Sequence, residues 1–361
     1  MKVQAAVLRG AEAPYQIEDI ELAEPGAGEI LVRVAGTGLC HTDMIPRAMA
    51  EMRPLVPGHE GAGVVEMVGP GVESIKLGDH VCLSYDSCGA CRACSLGQPS
   101  YCAEFVARNL SGRTVAGEGY AKDTDGTPIG ARWFGQSSLA SHVIATERNA
   151  VVVDRSLPLD KLGPLGCGVQ TGAGSVMVAL DAQPGSSLVI FGSGAVGLSG
   201  ILGAVVAGVS TIIAVDLHAH RLDLAKEFGA THTINGDAQD VVEEVREITG
   251  GAGADYSLET TGVPGVMRNA VLAVRLGGSA ALVGAQQGDL PVDGVMLPGR
   301  TLVGVLEGSV VPQQFIPRMI ELWRDGRFPF DRMITTFKLS EVNEAERASL
   351  SGAVIKPVLI P

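Results

Sequence analysis

Four cysteines lie within one short stretch rich in Gly, Ser and Pro. They are Cys88, Cys91, Cys94 and Cys102, with the spacing C-x2-C-x2-C-x7-C. Four thiolates at such spacing close a tetrahedral zinc site almost independently of the remaining fold, and a site with four protein ligands is structural. We predict a structural zinc here, with an iron–sulfur cluster as a minor alternative, because four unligated thiols would be vulnerable to oxidation.

A second set of metal-ligand residue types is dispersed along the chain. Cys40 follows a strand-like run, His59 lies in a Gly-rich turn over 57–61, and Cys167 lies between two glycines. Two thiolates and one imidazole leave a fourth zinc position for water or substrate, which is the open arrangement that catalysis needs. We predict a catalytic zinc at this set, with Asp43 as the partner that orients the His59 ring.

A glycine motif follows the apolar run over 188–191. Gly192, Gly194 and Gly197 form G-x-G-x-x-G, and a stretch of small apolar residues suited to a helix comes next. In this context the glycines let backbone N–H groups approach a pyrophosphate at a helix N-terminus. Asp216 ends the next strand-like run about 20 residues later, where a carboxylate accepts hydrogen bonds from ribose hydroxyls. The pattern predicts a dinucleotide site.

The charges around Asp216 bear on which dinucleotide binds. The Asp216 carboxylate would repel a 2′-phosphate, which favours NAD over NADP. Arg221, with His218 and His220 nearby, keeps NADP as an alternative, although these three residues are equally consistent with a solvated surface.

Length and hydrophobic pattern indicate two domains. A chain of 361 residues is long enough for two. The first part alternates short β-rich runs with turn signals, which predicts a small β-rich domain. These runs are Lys2 to Leu8, Glu29 to Ala35, Gly63 to Val68 and Asp79 to Leu83.

From about Ser186 the pattern changes to apolar runs separated by longer, often helix-length segments. The runs are SLVIF, TIIAV, THTIN, ADYSLET, SAALVGA and TLVGV. Six such runs predict a doubly wound parallel sheet. A helix-like stretch over Phe315 to Arg324 and a terminal apolar run follow, and we expect this last segment to pack on the first domain.

Composition excludes several function classes. A net charge of −13 without a long basic run argues against nucleic acid or an anionic membrane surface as partner. The start lacks the apolar core of a signal peptide, and no apolar run reaches the about 18 residues of a membrane span, so we predict a cytoplasmic protein. Seven cysteines without an export signal favour metal ligation over disulfides. Cys82, outside both sets, is predicted to be a core residue.

These motifs, in this order and nearly end to end, resemble the zinc-containing medium-chain alcohol dehydrogenases. The signature Gly58-His59-Glu60-x-x-Gly63 accompanies the four-cysteine lobe and the glycine motif. Within that family, several segments are most similar to bacterial aryl-alcohol (benzyl alcohol) dehydrogenases, with enzymes of allylic terpene alcohols such as geraniol as close relatives. The segments are GLCHTD (38–43), FGQSS (134–138), GPLGCGVQTGAG (163–174) and GRFPFD (326–331).

The resemblance implies an α/β architecture with a GroES-like, β-rich catalytic domain and a doubly wound Rossmann domain. The catalytic domain would span 1–168 and 306–361, and the NAD-binding domain 169–305. The resemblance also implies a homotetramer, with a dimer as the alternative.

It further implies roles for single residues. Cys40, His59 and Cys167 would hold the catalytic zinc, Glu60 would approach it as a transient ligand, and Thr42 would hydrogen-bond the substrate oxygen. Towards the cofactor, Thr171 would lie against the nicotinamide, Val283 and Ala285 would contact its carboxamide, and Lys356 and His41 would face the pyrophosphate. Tyr85, Trp133 and Phe134 would line the substrate pocket; the alternative is that these aromatic residues fill the core.

The implied activity is reversible, zinc-dependent and NAD-linked oxidation of primary aromatic or allylic alcohols to aldehydes. Zinc would lower the pKa of a bound alcohol as it lowers that of bound water. One alternative is a glutathione-dependent formaldehyde dehydrogenase, which needs cationic groups to hold an anionic thiol adduct. Another is a non-catalytic dinucleotide-binding protein of the same fold.

The chain departs from many relatives at Ile45, where they carry a histidine that passes the substrate proton from the cofactor ribose to water. We expect His41 or water to replace this relay, and on the His41 route the substitution His41→Ala changes the pH dependence of the oxidation rate. Steady-state rates of wild type and variant across pH test this route. Identical pH–rate profiles would rule His41 out as the relay.

Overall fold

The computed structural model describes residues 1–117, 121–237, 240–290 and 292–361. Its strands are β1 Lys2–Val7, β2 Gln16–Leu22, β3 Glu29–Gly38, β4 Glu60–Val68, β5 His80–Leu83, β6 Ala121–Lys122, β7 Pro128–Ile129, β8 His142–Thr146, β9 Ala150–Val153, β10 Ser187–Phe191, β11 Thr211–Asp216, β12 His232–Asn235, β13 Ala254–Glu259, β14 Val274–Leu282, β15 Thr301–Gly304, β16 Ile334–Lys338 and β17 Lys356–Ile360. Its α-helices are α1 Arg92–Ser95, α2 Phe105–Asn109, α3 Gly168–Gly174, α4 Ala195–Ala207, α5 Ala219–Glu227, α6 Val241–Ile248, α7 Pro264–Leu272, α8 Pro312–Arg324 and α9 Val342–Leu350.

The chain forms two compact units. The first comprises Met1–Cys167, Val311–Arg318 and Asp331–Pro361, and the second comprises Gly168–Val310 and Met319–Phe330. The predicted boundary after residue 305 lies close to the division at Val310. The structure also places Met319–Phe330 in the second unit, where the Trp323 ring packs on Phe330 with ring centroids 5.2 Å apart.

The first unit is built on two largely antiparallel sheets. Its larger sheet has the order β16-β17-β3-β4-β5-β9, with β8 also paired to β3, and its smaller sheet has the order β1-β2-β6-β7. β3 is buried along most of its length and β4 along its first half, and their apolar side chains contribute to a core that includes Ile30, Val32 and Val65. The C-terminal strand β17 pairs with the end of β3, as the terminal apolar run predicts, with Val358 opposite Gly38. The ends of β3 and β4 therefore lie side by side.

The second unit contains the predicted doubly wound sheet. Six parallel strands follow the order β12-β11-β10-β13-β14-β15, and all six predicted apolar runs form strands of it. The chain reverses its direction across the sheet between β10 and β13, and ligands of such sheets bind beyond the carboxyl ends of the strands at that point. The glycine motif lies there, between β10 and α4.

Close packing explains the third glycine of the motif. A Cβ on Gly197 would overlap the carbonyl oxygen of Gly192 at the end of β10. Only glycine lets α4 start this close to the strand that precedes it.

No α-helix in the described ranges is both long enough and apolar enough to cross a membrane.

One helix of the second unit offers a direct test of its local stabilisation. Asp240 caps α6, because its side chain accepts hydrogen bonds from the backbone N–H groups of Val242 and Glu243. We expect Asp240→Ala to lower the free energy of unfolding by about 1 kcal/mol, since two donors of the first turn lose their acceptor. Urea unfolding measures the change. Asp240→Ser keeps a capping oxygen and is the control; equal stability of all three proteins would contradict the assignment.

Candidate active site

The four-cysteine lobe has the geometry of a closed zinc site. The sulfur atoms of the four residues all lie within 4.8 Å of one another; the residues are Cys88, Cys91, Cys94 and Cys102. Three of the sulfur separations are 3.5, 3.9 and 4.0 Å, near the edge of about 3.8 Å that follows for a tetrahedron with zinc–sulfur bonds of about 2.3 Å. These residues fit a zinc ion without rearrangement.

Backbone N–H groups prepare the lobe for a metal. The N–H of Ala103 donates to Cys91 Sγ at 3.4 Å, and the N–H groups of Cys91 and Cys88 donate to the sulfurs of Cys88 and Cys102. The hydrogen bond from Ala103 is the largest cause that lowers the pKa of the Cys91 thiol to about 6. At Cys91 the thiolate, the form that binds zinc, is thus favoured near neutral pH, whereas burial raises the pKa values of the Cys94 and Cys102 thiols.

The dispersed ligand set also comes together. Ligand atoms of Cys40, His59, Glu60 and Cys167 all lie within 4.8 Å of one another. Cys40 follows β3, His59 directly precedes β4, and Glu60 is the first residue of β4. The strand starts earlier than the predicted Gly63, because Glu60 already pairs with Gly38 of β3.

A turn of close backbone contacts places the third ligand. Cys167 follows the 3-10 turn Gly163–Gly166, which packs against β4 and β5. A Cβ on Gly166 would overlap the carbonyl group of Leu83 at the end of β5. Glycine at this position therefore lets the turn approach the sheet closely enough for Cys167 to reach the other ligands.

Asp43 links the segments that carry two of the ligands. The side chain is fully buried. Its Oδ1 atom accepts a hydrogen bond from the Gly58 N–H at 2.9 Å, and the same atom lies 2.7 Å from His59 Nδ1. Its Oδ2 atom accepts a hydrogen bond from the Cys40 N–H at 3.0 Å. Since Nδ1 is held by Asp43, Nε2 is the ring nitrogen left to bind a metal.

The chemistry of this donor set fits zinc. His59 Nε2 is buried and has no hydrogen-bond partner in the described part of the chain. The pKa of the Cys40 thiol lies well below its ordinary value, first because of its hydrogen bond with Cys167 and also because of the positive charge of Lys356, although burial opposes the shift. A buried imidazole nitrogen without a partner, close to a thiol that favours ionisation, is the environment that a bound cation would satisfy.

Glu60 is tied to a lysine from the C-terminal strand. Lys356 Nζ donates to both carboxylate oxygens of Glu60 at 2.9 Å, and both side chains are buried. Burial lowers the pKa of Lys356, but the Glu60 carboxylate outweighs it and raises the pKa, so the lysine stays charged. The resemblance assigns Lys356 to a pyrophosphate, which stays a prediction; the contact that the structure shows is with Glu60.

Asp216 supports the glycine motif as well as ending β11. Its Oδ2 atom accepts a hydrogen bond from the Ser193 N–H at 2.7 Å, and its Oδ1 atom accepts one from the His218 N–H at 2.9 Å. Gly192 has a φ of 91°, which glycine adopts readily. Arg221 Nη1 lies 3.9 Å from Asp216 Oδ2, so this cation is partly neutralised.

Three further predicted nucleotide contacts, Thr171, Val283 and Ala285, lie within the second unit. The Val283 N–H donates to the Glu259 carbonyl, and Ala285 approaches Gly262. Thr171 is buried in α3, and its hydroxyl has no hydrogen-bond partner among the described residues. Sequence reasoning missed Glu259, whose buried carboxylate accepts hydrogen bonds from the N–H groups of Thr261 and Gly262 and so shapes the loop after β13. A lone acid at a strand end gives no signal of that contact.

Comparisons with known proteins agree with this geometry. The alcohol dehydrogenase GroES-like domain matches residues 26–154, and the zinc-binding dehydrogenase domain matches residues 195–324. The geraniol dehydrogenase of Castellaniella defragrans is 43% identical over 366 residues, covering 100% of this chain and 98% of the relative. The chain belongs to the zinc-containing medium-chain alcohol dehydrogenases.

Two solved structures of this family share the fold. An alcohol dehydrogenase zinc-binding domain protein from Burkholderia ambifaria superposes with a TM-score of 0.96 at 47% identity, covering 100% of this chain and 99% of the other. Benzyl alcohol dehydrogenase from Acinetobacter calcoaceticus gives a TM-score of 0.95 at 42% identity with the same coverage. The predicted family, the GroES-like and Rossmann architecture and the zinc and NAD cofactors of this alcohol dehydrogenase are thereby confirmed.

The predicted substrate aromatics lie in one buried cluster beside the dispersed ligand set. Phe134 stacks on the His59 ring with centroids 4.5 Å apart, and Trp133 contacts Phe134 edge-on at 5.5 Å. Tyr85 contacts Phe105, which in turn packs edge-on against Phe134 at 6.3 Å. Phe134 is thus the member of the three in contact with a predicted zinc ligand.

The predicted proton-transfer residues lie on the 3-10 helix His41–Ala48 that follows Cys40. Thr42 is partly buried, with its hydroxyl 3.9 Å from Cys40 Sγ, and His41 is exposed. Cys82 is buried in β5, as predicted, and its thiol donates to the Leu162 carbonyl.

Two single substitutions separate the metal sites of this dehydrogenase. We expect Cys40→Ala to leave about one zinc per chain and to abolish alcohol oxidation, because the open site loses a ligand. We expect Cys91→Ala also to leave about one zinc, and to lower the melting temperature more, because a closed site contributes to folding. Metal analysis and thermal unfolding measure both changes. Wild-type zinc content in either variant would refute that ligand assignment.

Proposed function

We propose that this chain oxidises primary aromatic or allylic alcohols to aldehydes with NAD, reversibly. The observation that supports the proposal most directly is the Phe134 ring stacked on His59, because it is an aromatic side chain next to a predicted catalytic ligand. Aromatic walls suit flat aryl or allylic groups and suit polyols poorly. The names of the geraniol and benzyl alcohol dehydrogenases among its relatives support the same substrate class.

In this proposal Cys40, His59 and Cys167 hold the catalytic zinc, and Cys88, Cys91, Cys94 and Cys102 hold the structural one. Bound zinc supplies the Lewis acid that lowers the pKa of an alcohol, and NAD supplies the hydride acceptor. Asp43 keeps the His59 ring in the tautomer that leaves Nε2 available, which its contact with Nδ1 supports.

Thr42 accepts the proton of the alcohol through its hydroxyl oxygen. Its position beside the Cys40 sulfur supports this role, because a substrate oxygen at the open position would lie near the ligand sulfurs. With Ile45 at the usual relay position, the proton leaves through water or His41, which is exposed.

Glu60 has two alternative partners in this proposal. Its carboxylate is close enough to the other ligand atoms to serve as a transient ligand, yet Lys356 Nζ holds both of its oxygens. Lys356 therefore limits how readily Glu60 turns toward the metal. Because both side chains are buried, moving Glu60 away from Lys356 would leave a buried charge without its partner, which is energetically costly.

For the cofactor, we retain Gly192, Gly194, Gly197, Asp216, Arg221, Thr171, Val283, Ala285, His41 and Lys356 as contacts. The Asp216 carboxylate, already the acceptor for two backbone N–H groups, presents negative charge where NADP would place its 2′-phosphate. We also retain the catalytic domain over 1–168 and 306–361 and the nucleotide domain over 169–305. Cytoplasmic location and a homotetramer remain predictions.

The test follows NAD and NADP reduction by absorbance with benzyl alcohol, geraniol, ethanol and sorbitol, on protein of known zinc content. We expect preferential turnover of benzyl alcohol or geraniol with NAD on protein with about two zincs per chain. Turnover of formaldehyde only with glutathione would instead support the glutathione-dependent alternative. At most one zinc and no turnover would support the non-catalytic alternative. Equal turnover of sorbitol and benzyl alcohol would contradict the substrate class.

A further inference from the structure

The turn formed by residues 133–138 is hydrogen-bonded to the segment that carries His59. The Ser138 N–H donates to the Gly58 carbonyl at 2.8 Å, and the following N–H of Leu139 donates to the Pro57 carbonyl at 3.0 Å. The hydroxyls of Ser138 and Thr37 also lie 2.8 Å apart, which joins the turn to β3. The turn is therefore hydrogen-bonded to the backbone that directly precedes His59 and, through a contact between side chains, to β3.

Within this turn, the Gln136 amide makes three hydrogen bonds while fully buried. Its Nε2 atom donates to the carbonyls of His59 at 2.9 Å and Ser84 at 3.1 Å. Its Oε1 atom accepts a hydrogen bond from the Gly61 N–H at 3.0 Å. Both amide hydrogens are thus used, and the side chain ties the His59 backbone to the residue that follows β5.

The same turn holds Phe134 in an uncommon backbone conformation. Phe134 has φ 50° and ψ 36°, and Ser137 has φ 55°, although neither residue is glycine. The Ser137 hydroxyl accepts a hydrogen bond from the Trp133 N–H at 2.8 Å, and Asn149 donates to the Gly135 carbonyl at 3.3 Å. These contacts maintain the left-handed conformation that places the Phe134 ring on the imidazole.

We propose that Gln136 is a positioning residue for the catalytic metal, acting through His59. Three restraints then act on this ligand: Gln136 fixes its backbone, the Phe134 ring fixes the plane of the imidazole, and Asp43 fixes Nδ1. Together they aim Nε2 at the thiols of the open site. The inference rests on the proposed role of His59 as a zinc ligand.

If Gln136 has this role, its amide slows the release of metal from the open site and leaves the release from the four-cysteine site unchanged. Without the Gln136 amide, the His59 carbonyl and the Gly61 N–H lose their partner and the segment shifts, so the direction of Nε2 is less well defined. Loss of a group that orients a ligand costs about 10–100-fold in metal affinity. The four-cysteine site shares none of the hydrogen bonds of Gln136, so its metal should be unaffected.

Asn109 offers a matched control in the same unit. It is equally buried, and its amide also makes three hydrogen bonds with backbone groups: it donates to the carbonyls of Asp86 and Phe105 and accepts from the Asp86 N–H. Its loss should therefore cost comparable stability while the hydrogen bonds of Gln136 to His59 and Gly61 stay in place. A purely structural role of Gln136 predicts that both variants behave alike at the open site.

The experiment measures zinc release from Gln136→Ala, Gln136→Met, Asn109→Ala and wild type to a chromogenic chelator. Gln136→Met fills the volume without the hydrogen bonds, so it serves if Gln136→Ala does not fold. Cys40→Ala identifies the phase that belongs to the open site. The visible spectra of the cobalt-substituted proteins report the geometry of the metal independently of activity.

We expect the open-site phase to be at least about tenfold faster in the Gln136 variants, with an altered cobalt spectrum and an unchanged four-cysteine phase. Asn109→Ala should release the open-site metal at the wild-type rate. Wild-type release from Gln136→Met, or equal acceleration in Asn109→Ala, would overturn the inference. If His59→Ala instead retains the zinc content of wild type, the proposed ligand role itself fails, which separates the two outcomes.

Discussion

The open metal site depends on the carboxylate of Asp43. This buried anion accepts hydrogen bonds from the N–H groups of Cys40 and Gly58 and holds His59 Nδ1. A buried charge is tolerated only when hydrogen bonds replace its hydration, and hydrogen bonds to charged groups contribute about 1.5–3 kcal/mol each. Because the carboxylate joins the end of β3 to the start of β4, it holds two ligands at a defined separation before any metal arrives.

A second buried charge extends this arrangement to the C-terminus. Lys356 at the start of β17 neutralises Glu60 at the start of β4, and it does so because β17 adds to β3 in the same sheet. The ion pair in the first unit therefore forms only when β17 has paired with β3. The charge balance of the open site therefore depends on the strand order of its sheet, because neither the Glu60 nor the Lys356 side chain is stable when it is buried without the other.

Two glycines position functional groups by allowing close contacts between backbone segments. Gly166 lets the turn before Cys167 lie against β5, and Gly197 lets α4 start directly beside β10. In both places the functional group reaches its position because a Cβ is absent. The aromatic cluster works in the opposite way, since the ring of Phe134 fills the space against His59 and limits how that ligand moves.

The sequence by itself determined the sites whose residues lie close together along the chain. The four cysteines lie within one loop, and the glycine motif lies between a strand and a helix with Asp216 on the next strand, so local order was enough to predict both sites. Short β-rich runs and apolar runs likewise predicted β1, β3, β5 and the six strands of the parallel sheet, although they missed the start of β4, because pairing of Glu60 with Gly38 rather than hydrophobicity sets that end. Only the tertiary structure decided that Lys356 meets Glu60 and that Gln136 meets His59. These partners lie 296 and 77 residues apart. Neither contact has a local signal, because buried polar groups find their partners through strand order and packing, which no short stretch of sequence specifies.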